Sequence, residues 1–355
     1  MVYIAGWLLN YWGLALWYIG LRNKVVFLPV LLYFAVVIVI RYSGTDTFGI
    51  YEQMLSSLLS GEIEGFLSGW EPGFLLLSEL LLAVTHSEVI ALRVIGLLFV
   101  ILLSVAYIRA DKEEQKVIFL YLLPVFGYQL GMNAVRFGLA FALLFLGWQQ
   151  LRRGKFGQFV FYGFLSVLFH YSALLAFFLL LLQDLKLKDY RVLFGLWVVV
   201  LGSSFLLVSR QDYFESKLLL YVSYESPSIF SGLSRSFAVG VVLLGFAFSG
   251  GILRRKGTLL LGIATLTVAG QVLAMFTYAG LRVLDIVAAS VPLMLLRWFD
   301  RAGQTPGRAY WLGLALAGMA GCYFAYRNFL SDYDGQLTGT LTPFLPYRTI
   351  FNYNP

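Results

Sequence analysis

The sequence contains little charge and almost no cysteine. Only 13% of its 355 residues are charged, while 60% are hydrophobic, and a soluble domain of this size carries roughly twice that charge. Cys322 is the only cysteine, which excludes an intramolecular disulfide and a metal site made of several thiolates. No cluster of acidic residues has the spacing of metal ligands, so we expect neither a metal nor a cofactor.

What the sequence does contain is long apolar runs along its whole length. Runs of about 17 to 22 residues match the length of helix that crosses a bilayer. We therefore predict an all-α, polytopic transmembrane protein with about 10 to 14 membrane segments, forming a single integral membrane domain over residues 1–355. The clear spans are residues 2–19, 25–40, 88–108, 117–130, 136–151, 193–208, 237–253, 258–278, 283–299 and 310–326.

Two further apolar stretches are unusual. Residues 74–84 are too few for an ordinary crossing, and residues 159–182 carry His170-Tyr171-Ser172 in their middle. Lys and Arg collect in six short loops, and such loops lie on the cytoplasmic side. All six fall on one side only if residues 74–84 dip into the membrane and return and residues 159–182 form two helices that meet near His170. We predict both features.

This topology places the loops 41–71 and 209–236 and the tail 327–355 outside. Nine polar or charged residues from distant parts of the chain then fall near the outer face. They are Arg41, Asp46, Glu71, Asn133, Arg136, His170, Arg282, Asp285 and Arg348. Irregular backbone at membrane depth is tolerated where it lines a wet cavity. We therefore expect these groups to share a cavity that opens outward.

Arginine, carboxylate and imidazole groups together suit the transfer of a sugar from a phosphate-linked donor. Guanidinium forks match phosphate geometry and stabilise the charge that builds on a leaving pyrophosphate. We assign pyrophosphate binding to Arg41, Arg136, Arg282 and Arg348. The candidate bases for the acceptor hydroxyl are Glu71, His170 and Asp46, and we favour the first two. The residues predicted to bind or position the sugar are Asn133, Tyr51, Asp285 and Tyr347.

Several of these residues also have a purely structural interpretation. Arg282 and Asp285 stand three residues apart, so they share a helix face and can form an intramembrane salt bridge. Asn133 and Arg136 have the same spacing, and the arginine can reach up to the headgroups. A histidine on an apolar stretch is most often a hydrogen-bonded packing residue, and this applies to His170.

Two acidic residues and Arg93 have similar structural alternatives. Glu71 can be an N-terminal helix acid stabilised by the dipole, and Asp46, which follows Ser-Gly-Thr, can be a turn former. We interpret Arg93 as structural, paired with Glu88 or Glu79.

Five short motifs, taken in order, resemble the EpsG family of membrane proteins from bacterial exopolysaccharide clusters, which is related to Wzy-type polymerases. The motifs are Arg41-Tyr-Ser-Gly-Thr-Asp46 with Tyr51, Glu71-Pro-Gly-Phe74, Asn133-Ala-Val-Arg136-Phe-Gly-Leu-Ala140, Phe169-His-Tyr-Ser-Ala173 and Pro346-Tyr-Arg-Thr-Ile-Phe351. The chain departs from the family pattern at Phe137, where Gln is frequent, and at Tyr171, where Lys is frequent.

The resemblance implies a glycosyltransferase that polymerises repeat units carried on undecaprenyl pyrophosphate. It places the reaction at the periplasmic or outer face of the bacterial inner membrane, in a fold similar to the GT-C class. The implied partners are lipid-linked oligosaccharide donor and acceptor, the bilayer, and a chain-length regulator and flippase of the same pathway, with no nucleic acid. Two alternatives stay open: a single-step glycosyltransferase or glycan ligase, and a lipid-linked sugar flippase without catalysis.

Overall fold

The computed structural model describes most of the chain, and what it describes is helical. The described residues are 1–20, 24–44, 50–61, 69–182, 197, 201–202, 204–205, 208–215, 228, 230–250, 253–330, 344–345 and 347–351. Within these ranges, the one bridge of extended backbone joins Arg41 to Thr349 in an antiparallel sense. The prediction of an all-helical protein is confirmed for this part of the chain.

The described residues contain fourteen α-helices, which we number in chain order. They are α1 (Val2–Tyr18), α2 (Leu28–Val39), α3 (Glu52–Ser60), α4 (Pro72–Thr85), α5 (Glu88–Arg109), α6 (Lys112–Val117), α7 (Leu123–Tyr128), α8 (Val135–Arg152), α9 (Phe156–Phe169), α10 (Ala173–Leu182), α11 (Leu233–Ala247), α12 (Leu253–Ala274), α13 (Tyr278–Ala302) and α14 (Arg308–Leu330). A 3₁₀-helix (Lys24–Phe27) precedes α2, and π-helical turns (Ile118–Leu122 and Gln129–Asn133) flank α7.

Nine of the ten clear predicted spans fall on these helices, and the tenth, 193–208, lies largely outside the described residues. By length and composition, four described segments are able to cross a membrane: Glu88–Arg109, Gly257–Ala274, Tyr278–Ala302 and Arg308–Leu330. The protein is therefore a helical membrane protein. The predicted number of crossings and the GT-C architecture stay predictions.

The apolar stretch 159–182 is broken where the sequence predicted. Helix α9 ends at Phe169 and α10 begins at Ala173. Between them His170 adopts an extended backbone, with φ −161° and ψ 119°, although its amide still bonds to the Ser166 carbonyl. The break therefore turns the His170 side chain away from the regular course of either helix.

The short stretch 74–84 lies within α4, which has 14 residues and so spans about 21 Å. The helix ends in a tight turn in which His86 has a φ of 50°. Ser87 then caps α5 by accepting a hydrogen bond from the Ile90 amide, and α4 packs against α5. A helix of this length is shorter than a bilayer core, and its re-entrant path stays a prediction.

A bend at Ala134 corrects one expectation from the sequence. Asn133 ends the second π-helical turn, Ala134 leaves helical geometry with ψ 53°, and Arg136 lies in the first turn of α8. The three-residue spacing of Asn133 and Arg136 therefore does not place them on one helix face, because no continuous helix joins them.

The chain divides into two compact units. Unit 1 comprises Met1–Phe66, Pro72–Ala142 and Gly321–Pro355, and unit 2 comprises Leu67–Glu71 and Leu143–Ala320. The single integral membrane domain and the outward placement of loops 41–71 and 209–236 and of the tail 327–355 stay predictions.

In unit 1, helix α2 packs against both α1 and α5, and α3 and α4 pack on α5. The segment 347–350 runs alongside residues 40–43, with the Tyr42 amide donating to the Arg348 carbonyl at 2.7 Å and the Ile350 amide to the Ile40 carbonyl at 3.0 Å. The Tyr347 hydroxyl adds a 2.7 Å bond to the Val37 carbonyl. The tail residues that are described therefore fix the end of α2.

In unit 2, helix α13 is the most buried of the four segments that are able to cross a membrane, and it packs against α10, α11 and α12. Arg152 at the end of α8 binds Asp300 of α13 through two nearly parallel bonds, Nε to Oδ2 at 2.7 Å and Nη2 to Oδ1 at 2.9 Å. Such bidentate pairs combine charge with fixed geometry. The pair ties the last turn of α8 to the last turns of α13.

Gly280 provides a test of the packing between α12 and α13. A methyl group on Gly280 would come within 2.2 Å of the Ala274 amide nitrogen, so the backbones have to separate. We expect Gly280→Ala to destabilise the protein by about 1–3 kcal/mol, measured by thermal unfolding in detergent. The matched control is Gly262→Ala on α12, which meets open space. Equal unfolding temperatures for the two variants would contradict this packing.

Candidate functional site

A buried carboxylate and an imidazole meet at the break between α9 and α10. The Nδ1 atom of His170 lies 2.6 Å from Oε1 of Glu71. Glu71 is fully buried, directly before Pro72 at the start of α4, while the His170 side chain keeps 20% of its surface exposed. The interruption of the helix at His170 is what frees its ring to approach the carboxylate.

A second donor holds the same carboxylate oxygen. The Tyr213 hydroxyl donates to Glu71 Oε1 at 3.1 Å, and the Tyr213 ring packs edge-on against Tyr171 at a centroid distance of 5.0 Å. Arg210, three residues earlier, donates from Nη2 to the Trp70 carbonyl at 2.8 Å. The short segment around 210–213 therefore fixes both the backbone and the side chain of the Trp70-Glu71 pair.

The geometry gives the two members of the pair different chemical capabilities. A carboxylate that faces Nδ1 fixes the tautomer and orientation of an imidazole, so that Nε2 is the ring atom suited to take up a proton from a substrate. Glu71 is fully buried, and His170 is the partly exposed member. The arrangement is that of a general base held in place by an acid.

Asp285 has a partner that the sequence did not predict. Arg235 of α11 donates from Nε to Asp285 Oδ1 of α13 at 2.6 Å, with 14% and 15% of the two side chains exposed. Arg282, one turn before Asp285 on α13, is exposed. The structural interpretation of Asp285 as an ion-pair residue is therefore supported, with a cation from a neighbouring helix.

In unit 1, Arg41 is a fully buried cation. Its Nη1 atom donates to the Ile38 carbonyl, and Nη2 donates to the Met132 carbonyl at 3.2 Å. Burial, followed by the like charge of Arg93, lowers the pKa of Arg41 to about 9, so the guanidinium keeps its charge at neutral pH.

Arg136 is held by aromatic faces. Its Cζ atom lies 6.0 Å from the centroid of the Tyr51 ring and 6.0 Å from that of Phe74, and these two rings are 5.8 Å apart. Tyr51 is buried at the start of α3. Cation–π contacts at this distance are worth about 0.5–1 kcal/mol or more when desolvated, so the rings fix the guanidinium while leaving its N–H groups to other partners.

The expectation that Arg93 pairs with Glu88 or Glu79 is wrong for the residues described. No hydrogen-bond partner within the described ranges reaches Nε, Nη1 or Nη2 of Arg93, although its Cζ lies 5.8 Å from the Tyr42 ring centroid. The carboxyl group that interacts with it electrostatically is that of Glu52.

The predicted site residues are thus partly brought together. Glu71 and His170 meet in unit 2, and Arg136 and Tyr51 meet in unit 1. Tyr347 is bonded to the end of α2, and the Arg348 side chain is exposed while its backbone pairs with Tyr42 and Ser43. Asp46 lies outside the described residues. The convergence of all nine groups on one cavity stays a prediction.

The sequence analysis missed Tyr213, Arg210 and Arg235. All three come from the predicted loop 209–236, where a Tyr or Arg has no neighbour that marks it as special. The described ranges contain no group of three or more His, Cys, Asp or Glu able to hold a metal ion.

Long apolar helices with a hydrogen-bonded carboxylate and imidazole in a helix break define an integral membrane protein with a polar site. The model of the EpsG family matches residues 24–349, nearly the whole chain, and the chain belongs to that family. This range includes every candidate residue from Arg41 to Arg348. Neither a curated protein nor a solved structure matches the chain.

A double-mutant cycle on Arg235→Gln and Asp285→Asn distinguishes an ion pair from a sugar-positioning residue. Because both groups are mostly buried, we expect a coupling energy of about 1–3 kcal/mol in thermal unfolding. Additive effects on stability, together with an Asp285→Asn protein of normal stability but low activity, would instead favour the positioning role.

Proposed function

We propose that this protein is a membrane glycosyltransferase that polymerises polysaccharide from repeat units linked to undecaprenyl pyrophosphate. The single observation that carries the proposal is the 2.6 Å contact between His170 and Glu71 in a break of an apolar helix. Membership of the EpsG family supports it, because that family is associated with exopolysaccharide clusters.

His170 is the base in this proposal, and Glu71 is the residue that orients it. The acceptor hydroxyl approaches Nε2, its proton passes to the ring, and its oxygen forms the new bond to the anomeric carbon of the donor. The bond from that carbon to the pyrophosphate breaks, and the lipid pyrophosphate leaves with the electron pair. Glu71, which is itself held by the Tyr213 hydroxyl, keeps the imidazole in position and stabilises its charged form.

The arginines have the complementary role on the leaving group. Arg41, Arg136 and Arg282 are assigned to the pyrophosphate, with Arg348 as a further contact. A guanidinium that is already in place when charge develops on the leaving oxygen lowers the barrier without reorganisation. The backbone bonds of Arg41 and the aromatic contacts of Arg136 provide that fixed placement.

The reaction takes place within the membrane at its outer face. The donor and acceptor are lipid-linked oligosaccharides that reach the site within the bilayer, the site faces the periplasm or outside, and the fold is of the GT-C type. Asp46 is the alternative base, and Asn133, Tyr51, Asp285 and Tyr347 contact the sugars. A chain-length regulator and a flippase of the same pathway act with it.

The decisive assay gives purified protein a lipid-linked repeat unit and follows glycan length. We expect the wild type to form a ladder of products, and His170→Gln to lower the rate by roughly 100-fold or more because a general base contributes about that much. The matched control is the other histidine, as His86→Asn, since Asn tolerates the positive φ at that position. A ladder from His170→Gln as fast as that of wild type would refute the role of His170.

Product length in the same assay distinguishes the alternatives. One added unit would indicate a single-step transferase or a ligase, and movement of the lipid-linked unit across the bilayer without a covalent product would indicate a flippase.

A second test addresses the arginines. We expect Arg136→Ala and Arg282→Ala each to lower the polymerisation rate by roughly 10-fold to 1,000-fold, because loss of one charge-stabilising donor has that effect elsewhere. Arg308→Ala, an exposed arginine at the start of α14, is the control. If both variants polymerise as fast as wild type, the assignment of the pyrophosphate site is wrong.

A further inference from the structure

Arg93 is a buried cation that the proposed mechanism does not use. It lies in the second turn of α5 and exposes 5% of its surface. Within the described ranges none of its three guanidinium nitrogens has a hydrogen-bond partner. Burying an unpaired charge costs several kcal/mol. We therefore expect another group to compensate the charge of Arg93 in this apolar helix.

A second guanidinium lies against the same face of α5. Gly96 stands three residues after Arg93, and a methyl group added there would come 3.1 Å from Arg41 Nη1. Residues three apart share a helix face, so Arg41 packs beside Arg93. Its Nε atom also lacks a hydrogen-bond partner among the residues described.

One carboxyl group interacts electrostatically with these two arginines but does not neutralise both of them. Glu52 of α3 interacts electrostatically with Arg93 and, more weakly, with Arg41, yet its Oε1 atom has no hydrogen-bond partner within the described ranges. Burial raises the pKa of Glu52, while Arg93 and a hydrogen bond with Tyr42 act in the opposite direction. Within the described ranges, two guanidinium groups therefore face the single carboxyl group of Glu52, and the local excess is positive.

The chemistry of this excess fits an oxyanion. Guanidinium groups bind phosphate through paired, charge-assisted hydrogen bonds, and the unused donors here are Nε of Arg41 and all three nitrogens of Arg93. The centroid of the Tyr42 ring lies 5.8 Å from the Arg93 Cζ, so this ring packs against one face of the guanidinium group. A tetrahedral anion would occupy these donors and offset the cost of burial.

We propose that Arg93, together with Arg41, binds a phosphate group. If the proposed function is right, this group is one phosphate of the donor's pyrophosphate. Arg93 is then a substrate-binding residue, and Arg41 serves the same phosphate.

The test measures anion binding to the purified full-length protein in detergent, with no sugar present. Inorganic pyrophosphate, inorganic phosphate and a lipid-linked pyrophosphate are each titrated against the unfolding temperature at constant ionic strength, with chloride as a salt control. We expect pyrophosphate to raise the unfolding temperature in a concentration-dependent way. Arg93→Met should weaken pyrophosphate binding at least about tenfold, and Arg93→Lys less, because it keeps the charge but not the fork. Arg109→Gln, an exposed arginine at the end of α5, should bind as wild type does.

Stability without any anion distinguishes binding from a structural role. If the cation is unpaired until an anion arrives, Arg93→Met should unfold at the same or a higher temperature than wild type. A lower temperature would show that a carboxylate of the chain already neutralises Arg93 and would overturn the proposal, as would unchanged pyrophosphate binding by Arg93→Met or no binding by wild type. Tighter binding of the lipid-linked form than of inorganic pyrophosphate would identify the lipid donor as the source. Because this readout needs no glycan, the anion site would survive a failure of the polymerisation assay.

Discussion

The hydrogen bond between His170 and Glu71 is the interaction around which the polar site of unit 2 is built. It exists because three residues separate the end of α9 at Phe169 from the start of α10 at Ala173, and the extended backbone at His170 redirects the ring. A continuous apolar helix would leave the imidazole and the carboxylate each without this partner, and a buried carboxylate alone is strongly destabilised. Tyr213 completes the arrangement by donating to the same oxygen. The break in the helix and the buried acid therefore require each other.

Unit 1 handles charge in a different way. Among the residues described, Arg41 donates to two backbone carbonyls, Arg136 lies against the faces of two aromatic rings, and Arg93 has no hydrogen-bond partner. Ordinary structural ion pairs are present in the same protein, as Arg152 with Asp300 and Arg235 with Asp285 show. Arg152 and Arg235 hold helices of unit 2 together through ion pairs, whereas Arg93 of unit 1, which has no hydrogen-bond partner among the described residues, is the cation that we propose to bind an anion.

Local signals in the sequence were enough for some features and not for others. Three polar residues inside an apolar run predicted the break at His170, because polar side chains are costly to bury in a continuous apolar helix. The lengths of the apolar runs predicted most helices, because they match the length of a helix that crosses a bilayer. The partner of Asp285 was missed because it comes from a helix that lies 50 residues earlier, and spacing along one helix says nothing about it. The bend at Ala134 was missed because no Gly or Pro marks it, and the π-helical turn before it changes the register. Arg93 has no hydrogen-bond partner within the described ranges because of how α3, α5 and residues 41–42 pack. The sequence of any one segment does not contain that information.

The pairing of residues 347–350 with residues 40–43 has a consequence for biosynthesis. Ser43 and Arg348, which share hydrogen bonds through the Ser43 hydroxyl, are separated by 305 positions. The ribosome makes all of unit 2 in that interval, so the strand that fixes the end of α2 is missing during most of translation. Arg41, whose backbone bridges to Thr349, acquires its final surroundings only after the intervening helices have entered the membrane. Unit 1 therefore cannot complete this pairing before residues 347–350 have been synthesised.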